Sequence, residues 1–405
     1  MRIFPARSLP ETVPDLYTAI WLCILSRHRQ FHGHLRRASN QRQELDAESY
    51  GDALPEDINT YSASHEKHVP VSREPPHMAY TYLAIMLGSI CGVLARKGLE
   101  LLTTYDGSYL EGVVWANFVS CISMGMVAES EKIWARLLDG TAHLALYVSK
   151  AAVPLYVGIA TGFCGSCSSF SSLILEAFGM AANLPPNSAS YPTEGYGILG
   201  VIQVLVAQLT VSVGGFRVGS HITLGIEKSG CSFSPRAYRK AEILCAGLAV
   251  AMYTVVVVLV ATKNDGQWRS WTFACLFAPW GAFLRFWLSR FLNLRVKNFP
   301  VGTFVANLGG TVLLAILTLL ARGRSGRFSP VPIVSSVLNC HVLSGLGDGF
   351  CGCLTTVSTF IVELCALGKF HGYVYGMVSI WASFVAMLLV VGSYNWTVGL
   401  VSPVC

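Results

Sequence analysis

Charge is what this sequence has least of. Only 13% of its 405 residues are Asp, Glu, Lys or Arg, about half the roughly 25% of an ordinary soluble chain. That scarcity excludes a water-exposed globular surface over most of the length. The apolar runs contain almost no acids, the chief ones being Glu176, Glu363 and Asp348, near the run ends. Cation paths and proton relays usually place carboxylates at depth, so a route through this chain is poor in what a cation needs. The patch LYTAIWLCIL at 16–25 is too short to span and has no small-residue cleavage site behind it, so it does not read as a signal peptide. A net charge of +6 is mild and calls for no nucleic acid.

What is abundant is apolar. Hydrophobic residues make up 53% of the chain and the mean hydropathy is +0.50. Several runs approach the ~20 residues that cross a bilayer as a helix. The fold class is therefore an all-α polytopic membrane protein whose partner is the lipid bilayer. Thirteen cysteines do not change that reading, because most, such as Cys91, Cys121, Cys245 and Cys275, lie inside apolar spans and act as small hydrophobes. Cys164 and Cys167 form a C-x-x-C, but the matching positions further on are Cys351 and Leu354, so neither a metal site nor a disulfide framework is expected.

Residues 1–77 differ in kind. They are rich in Pro, Glu, Ser, Gln and His and read as a disordered cytoplasmic tail, its His28, His32 and His34 as tail histidines rather than metal ligands. Beyond Met78, nine spans are expected at 78–96, 112–128, 150–178, 196–216, 241–262, 270–289, 300–320, 333–366 and 373–395. Lys and Arg favour the side of the N-terminus, with Arg236, Arg239 and Lys240 before the fifth span. The positive-inside rule then places the N-terminus in the cytoplasm, against the exception of Arg322, Arg324 and Arg327. Asn395 in N-W-T is a glycosylation sequon on the expected outer side.

The chain also repeats itself. Gly92 and Arg96 match Gly281 and Arg285, Asn117 matches Asn307, and GFCGSCSSFSSLILE (162–176) returns as GFCGCLTTVSTFIVE (349–363), at offsets of 189, 190 and 187 residues. The expected domains are a first four-helix unit at 78–217, a loop and linker helix at 218–269, a second four-helix unit at 270–396 and a short tail at 397–405. Four helices return the chain to its starting side, so the extra span 241–262 inverts the second unit relative to the first.

Glycines 162, 165, 349 and 352 break the helix at membrane depth, which is tolerated only when buried in protein or lining a cavity. A hydroxyl ladder follows: Ser168, Ser169, Ser171 and Ser172 in one unit, Thr355, Thr356, Ser358 and Thr359 in the other. Hydroxyls can replace water around an ion, although small hydroxyl residues also let helices pack closely. With the amides of Asn117 and Asn307 and the guanidinium groups of Arg96 and Arg285, the route is rich in donors and suits a small anion. Both arginines lie near span ends, so snorkelling anchors are an equal alternative. A proton-coupled small-anion exchanger would need a titratable gate, for which Glu176 or Glu363 would serve. An intramembrane hydrolase would need a base by the ladder, and His341 is the only candidate, so no catalytic residues are assigned.

The series GAFLR (281–285), GTFVANLGG (302–310) and GFCGCLTTVSTF (349–360) resembles the fluoride channel family known as Fluc or CrcB. The two-unit chain with a linker helix resembles that family's fused eukaryotic branch, the fluoride exporters (FEX). The first unit departs at Val113, where the second has Thr303. The resemblance implies a passive fluoride channel in the plasma membrane, two antiparallel units in one pseudo-dimeric monomer, and fluoride passing along the ladder beside two phenylalanine edges. It also implies a structural Na+ held by the backbone carbonyls of Gly165, Ser168, Gly352 and Thr355. The family's first Phe is Phe170 in one unit and Val357 in the other; its second is Leu173 and Phe360. Each pore takes one from each unit, so the expected result is one working pore, with Phe170 and Phe360, and one vestigial pore, with Val357 and Leu173.

Overall fold

The computed structural model describes residues 78–105, 110–138, 147, 149–184, 193, 195–228, 232–262, 266, 268–326, 329 and 331–405. All fall within one compact unit, Gly51–Cys405; the other unit, Met1–Tyr50, lies outside the described residues, as do the expected tail, its 16–25 patch and its three histidines.

The described chain is helical. It runs through α1 (Met78–Thr103), α2 (Val113–Ala128), the short α3 (Lys132–Leu138), a first broken helix, α6 (Tyr196–Lys228), α7 (Pro235–Thr262), α8 (Trp268–Leu292), α9 (Val301–Arg322), a second broken helix and α12 (Lys369–Met387). The first broken helix consists of α4 (Pro154–Val157, widened through Gly158–Cys164 and closed by Gly165–Cys167) and α5 (Phe170–Ala181). The second consists of α10 (Val337–Gly345, widened through Leu346–Cys351 and closed by Gly352–Leu354) and α11 (Ser358–Ala366). α12 also widens at Leu388–Gly392 before Ser393–Thr397.

Among the described residues seven helices are long and apolar enough to cross a membrane, and α2 with α3, bent by 47°, makes an eighth if taken as one span. The expected span at 270–289 lies in α8, which has the length for a crossing but carries Arg269, Arg285 and Arg290 with Ser270 and Ser289. These polar residues dilute its apolar character, and α8 is not among the seven.

Burial separates helices of two kinds. Only 11% of the most apolar window of α7 is buried, against 83% of the first broken helix and 78% of the second. The broken helices are therefore the centre of the protein, and α7 lies at its edge against α1 and α8. Two glycines of the repeat explain the close packing. A Cβ at Gly92 would overlap Phe163 O, and one at Gly281 would overlap Phe350 O. Only glycine lets α1 and α8 lie directly on the widened turns.

At the other end of the chain one expectation is overturned. Cys340 and Cys405 form a disulfide, although no disulfide was expected. Cys340 opens α10 and Cys405 ends the chain, so neither lies mid-span, where a thiol would act as a small hydrophobe. Val401 N donates to Arg322 O at 2.8 Å and Tyr394 OH to Arg324 O at 2.6 Å. The C-terminal segment is thus fastened over the α9–α10 connection.

Candidate functional site: two columns beside crossed broken helices

The breaks come at Ser168 and Ser169 (ψ 154° and 116°) and at Thr355 (ψ 152°). Extended backbone there ends the i→i−4 ladder and turns polar groups into the protein interior. The hydroxyls then divide into two roles. Ser169 Oγ accepts from Ser172 N at 3.2 Å, and Thr356 Oγ1 accepts from Thr359 N at 3.4 Å. Ser169 is the N-cap of α5, and Thr356, one residue before the N-cap Val357, satisfies an orphan donor of α11 in the same way. Four others bond across the halves, and Thr356 Oγ1 also meets Ser168 Oγ at 3.3 Å. Ser168 Oγ meets Ser358 Oγ at 3.2 Å, and Ser171 Oγ meets Thr355 Oγ1 at 3.0 Å. Ser168 Oγ also accepts from Val357 N and Ser358 N. Much of the ladder is therefore a brace between two crossed helices.

Arg96 and Arg285 are each 1% exposed, which rules out snorkelling. Arg96 reaches the second break, donating to Gly352 O at 2.9 Å and to Asp348 O. Arg285 reaches the first, donating to Thr161 O at 2.6 Å, and also to Cys353 O at 3.0 Å. A Cβ at Gly165 would overlap the Arg285 guanidinium, and one at Gly352 that of Arg96. Each glycine leaves space for the other half's arginine. A charged side chain at a helix centre costs about 2.5–3.5 kcal/mol in a bilayer, and two charge-assisted hydrogen bonds of about 1.5–3 kcal/mol each offset it.

Two columns flank this centre. In one, α5 and α12 pack together and Phe170 meets Phe360 edge to face, ring centroids 5.3 Å apart. Tyr375 lies tilted against Phe360, centroids 5.2 Å apart, and donates from OH to Glu363 Oε2 at 2.5 Å, while Thr303 Oγ1 donates to Glu363 Oε1 at 2.5 Å. Asn307 holds the break itself, accepting from Thr356 N at 2.8 Å and donating to Thr356 O at 3.2 Å. In the other column, α11 packs on α6, and the aromatic positions are filled by Val357 and Leu173. Both are fully buried, so neither is a lipid-facing replacement. Asn117 Oδ1 accepts from Ser169 N at 2.9 Å, and its Nδ2 donates to Gln208 Oε1 at 2.7 Å. Gln208 Nε2 donates to Glu176 Oε2 at 2.5 Å, and Glu176 Oε1 accepts from Glu111 N at 2.8 Å. Glu111 lies outside the spans, where burial raises its carboxyl pKa and Arg322 partly offsets the rise.

The family model described as "CrcB-like protein, Camphor Resistance (CrcB)" matches residues 83–215 and again 272–393. The chain belongs to the CrcB-like family. Fluoride export protein 1 of Candida albicans is 46% identical over 363 residues, covering 88% of this chain and 90% of that protein. Fluoride export protein 2 of Saccharomyces cerevisiae is 31% identical over 375 residues, 81% of this chain and 96% of that one. The fluoride-specific ion channel FluC of Pseudomonas aeruginosa is 32% identical over 139 residues, which is 99% of its length but 33% of this chain. No solved structure matches.

In this CrcB-like chain the side chains that sequence reasoning passed over lie on α6 and α12. Ser379 and Ser383 are buried, and their hydroxyls have no hydrogen-bond partner. With Tyr375 they form one i, i+4, i+8 stripe on α12, the helix packed on α5, α9 and α11. Polar residues at helical spacing inside an apolar run were the available signal. Gln208 and Ser212 carried the same signal on α6.

Proposed function

We propose that the chain is a passive, fluoride-selective channel that exports the anion through one column, lined by Phe170, Phe360, Ser379 and Ser383. The relatives' names support fluoride as the transported ion, and the single observation that carries the one-column reading is the edge-to-face pair Phe170–Phe360. An aromatic ring edge is the positive end of its quadrupole, and the free hydroxyls of α12 can donate to an anion that has shed water. Fluoride that enters as neutral HF and dissociates is trapped inside as the anion. A negative-inside potential favours outward movement by about 2.3 kcal/mol per 100 mV, so no coupled energy source is needed.

In this reading nine helices span the membrane, with α8 the added crossing: it packs on α1 and on the second broken helix. Residues 78–217 and 270–396 are the two inverted four-helix units, supported by the two separate family matches, and α7 is the linker. One chain holds both units, so a monomer suffices. The N-terminus is cytoplasmic and the protein resides in the plasma membrane, which puts the Cys340–Cys405 disulfide on the oxidising outer side. For a structural Na+, the carbonyls of Ser168 and Thr355 fit, because the extended backbone releases them from the helical ladder. Gly352 O fits less well, since it accepts from Arg96 Nη1, and the Arg285 guanidinium lies against Gly165 in the same way. A sodium ion there would hold the two breaks together as a fixed positive charge.

The buried carboxyls Glu176 and Glu363 favour a second reading, a proton-coupled exchanger. Efflux from fluoride-loaded liposomes, read with a fluoride electrode at neutral pH, decides between them. A channel empties only when valinomycin relieves the potential and passes little chloride. An exchanger ignores valinomycin and follows an imposed proton gradient. Absence of fluoride flux from folded protein overturns both.

A further inference from the structure

We propose that Gln208 is the plug of the second column. The inference rests on the channel reading above and adds a reason for the closure beyond the missing rings. On α6 the buried positions Val201, Val204, Gln208, Ser212 and Phe216 match Gly372, Tyr375, Ser379, Ser383 and Met387 on α12, both series advancing one turn at a time. Paired by these series, Gln208 falls at the level of Ser379 and Ser212 at that of Ser383, and the bond of Gln208 to Glu176 takes the place of the bond that Tyr375, one turn earlier, makes to Glu363.

The difference in size and valence decides what each column can do. Ser379 is small and its hydroxyl has no partner, so it leaves both space and a donor for an ion. Gln208 is 0% exposed and spends both ends of its amide, accepting from Asn117 Nδ2 and donating to Glu176 Oε2. The result is a continuous side-chain bridge from Asn117 on α2, through α6, to Glu176 on α5. A fluoride ion entering here would have to break both bonds, and the carboxyl it would then face offers it no donor when ionised. Each buried polar group left unpaired is costly. Among the described residues the aromatic column shows no side-chain bridge running from Asn307 through α12 to Glu363. Asn307 bonds the backbone of Thr356 at both ends, and Glu363 is held from the side by Thr303 and Tyr375.

The test uses full-length protein in liposomes, with Phe360→Ile to silence the aromatic column. Val357→Phe and Leu173→Phe then restore both rings in the other column, with and without Gln208→Ser. The expected result is fluoride efflux at least 10-fold faster with Gln208→Ser than without it. Equal efflux from the two, whether fast or absent, overturns the plug. Two new rings in a packed interior can prevent folding, so a second measurement needs none. Leu173→Cys is labelled with a small charged thiol reagent and read at that residue by mass spectrometry. Adding Gln208→Ser should raise the labelling rate at least 10-fold, and an unchanged rate overturns the proposal. If the native sequence passes no fluoride, the channel reading falls, while labelling at residue 173 still decides whether Gln208 closes this column.

Discussion

The two columns of this molecule began as copies and no longer match, whereas the two breaks between them still do. At the breaks the main contacts recur in both halves. Arg96 on Asp348 O answers Arg285 on Thr161 O, Ser168–Ser358 answers Thr355–Ser171, and Ser169 and Thr356 each accept from the backbone N–H three residues on. In the columns Phe170–Phe360 faces Val357 with Leu173, and Ser379 faces Gln208. The difference separates what holds the fold from what transports. Both breaks must be satisfied in any folded molecule, because an unpaired buried backbone group is costly whichever half contains it. On the one-column reading proposed above, a second conduction path can be lost without loss of fold, provided its space is filled and its polar groups are paired, as Leu173, Val357 and Gln208 do.

That contrast can be broken in order of effect. The largest is on the clamp: Arg96→Ala and Arg285→Ala should each cost about 1–3 kcal/mol for every buried carbonyl left without a donor. The two should behave alike, with loss of the monodisperse peak on size-exclusion chromatography; tolerance of either one would break the claimed symmetry. Next comes Asn307→Ala, which removes both side-chain bonds to Thr356 beside the aromatic column. Its fluoride efflux should fall about 100-fold, equal to roughly 2.7 kcal/mol on the barrier, and Asn117→Ala should lower efflux less. Ser379→Ala and Ser383→Ala should slow efflux about 10-fold each, or 1.4 kcal/mol, while Ser212→Ala on α6 leaves the rate within a factor of about two. The smallest effect on transport is outside the columns. Reducing Cys340–Cys405, which closes a loop of 65 residues, should remove about 2–4 kcal/mol of stabilisation and lower the melting temperature while efflux at room temperature persists.

Much of this was legible in the residues. The repeat is written in Gly92, Arg96, Asn117 and the doubled glycine phrase, and its glycines and arginines meet because close approach and buried charge admit few other residue types. The pairing of Phe170 with Phe360 came from the family resemblance, applied to complementary losses at two positions. The hydroxyl ladder was harder to read, because Ser and Thr cap helices, brace interfaces and line pores with the same atoms. Only tertiary geometry separates Ser169, a cap, from Ser168, a brace. Snorkelling was an equal reading for the arginines because position along a helix does not give depth in the protein. Gln208 went unread for a related reason: one amide in an apolar helix acquires meaning from Asn117 and Glu176, which are distant in sequence. Cys340 falls within the expected span 333–366, where a thiol reads as a small hydrophobe, and nothing in the spacing links it to Cys405.

The most direct test of the central claim compares Phe360→Ile with Leu173→Ile, the same substitution site in the two columns, in valinomycin-treated liposomes with a fluoride electrode. One working column requires Phe360→Ile to abolish efflux and Leu173→Ile to leave it near the native rate. Partial loss of similar size in both variants would mean two conducting columns and contradict the account.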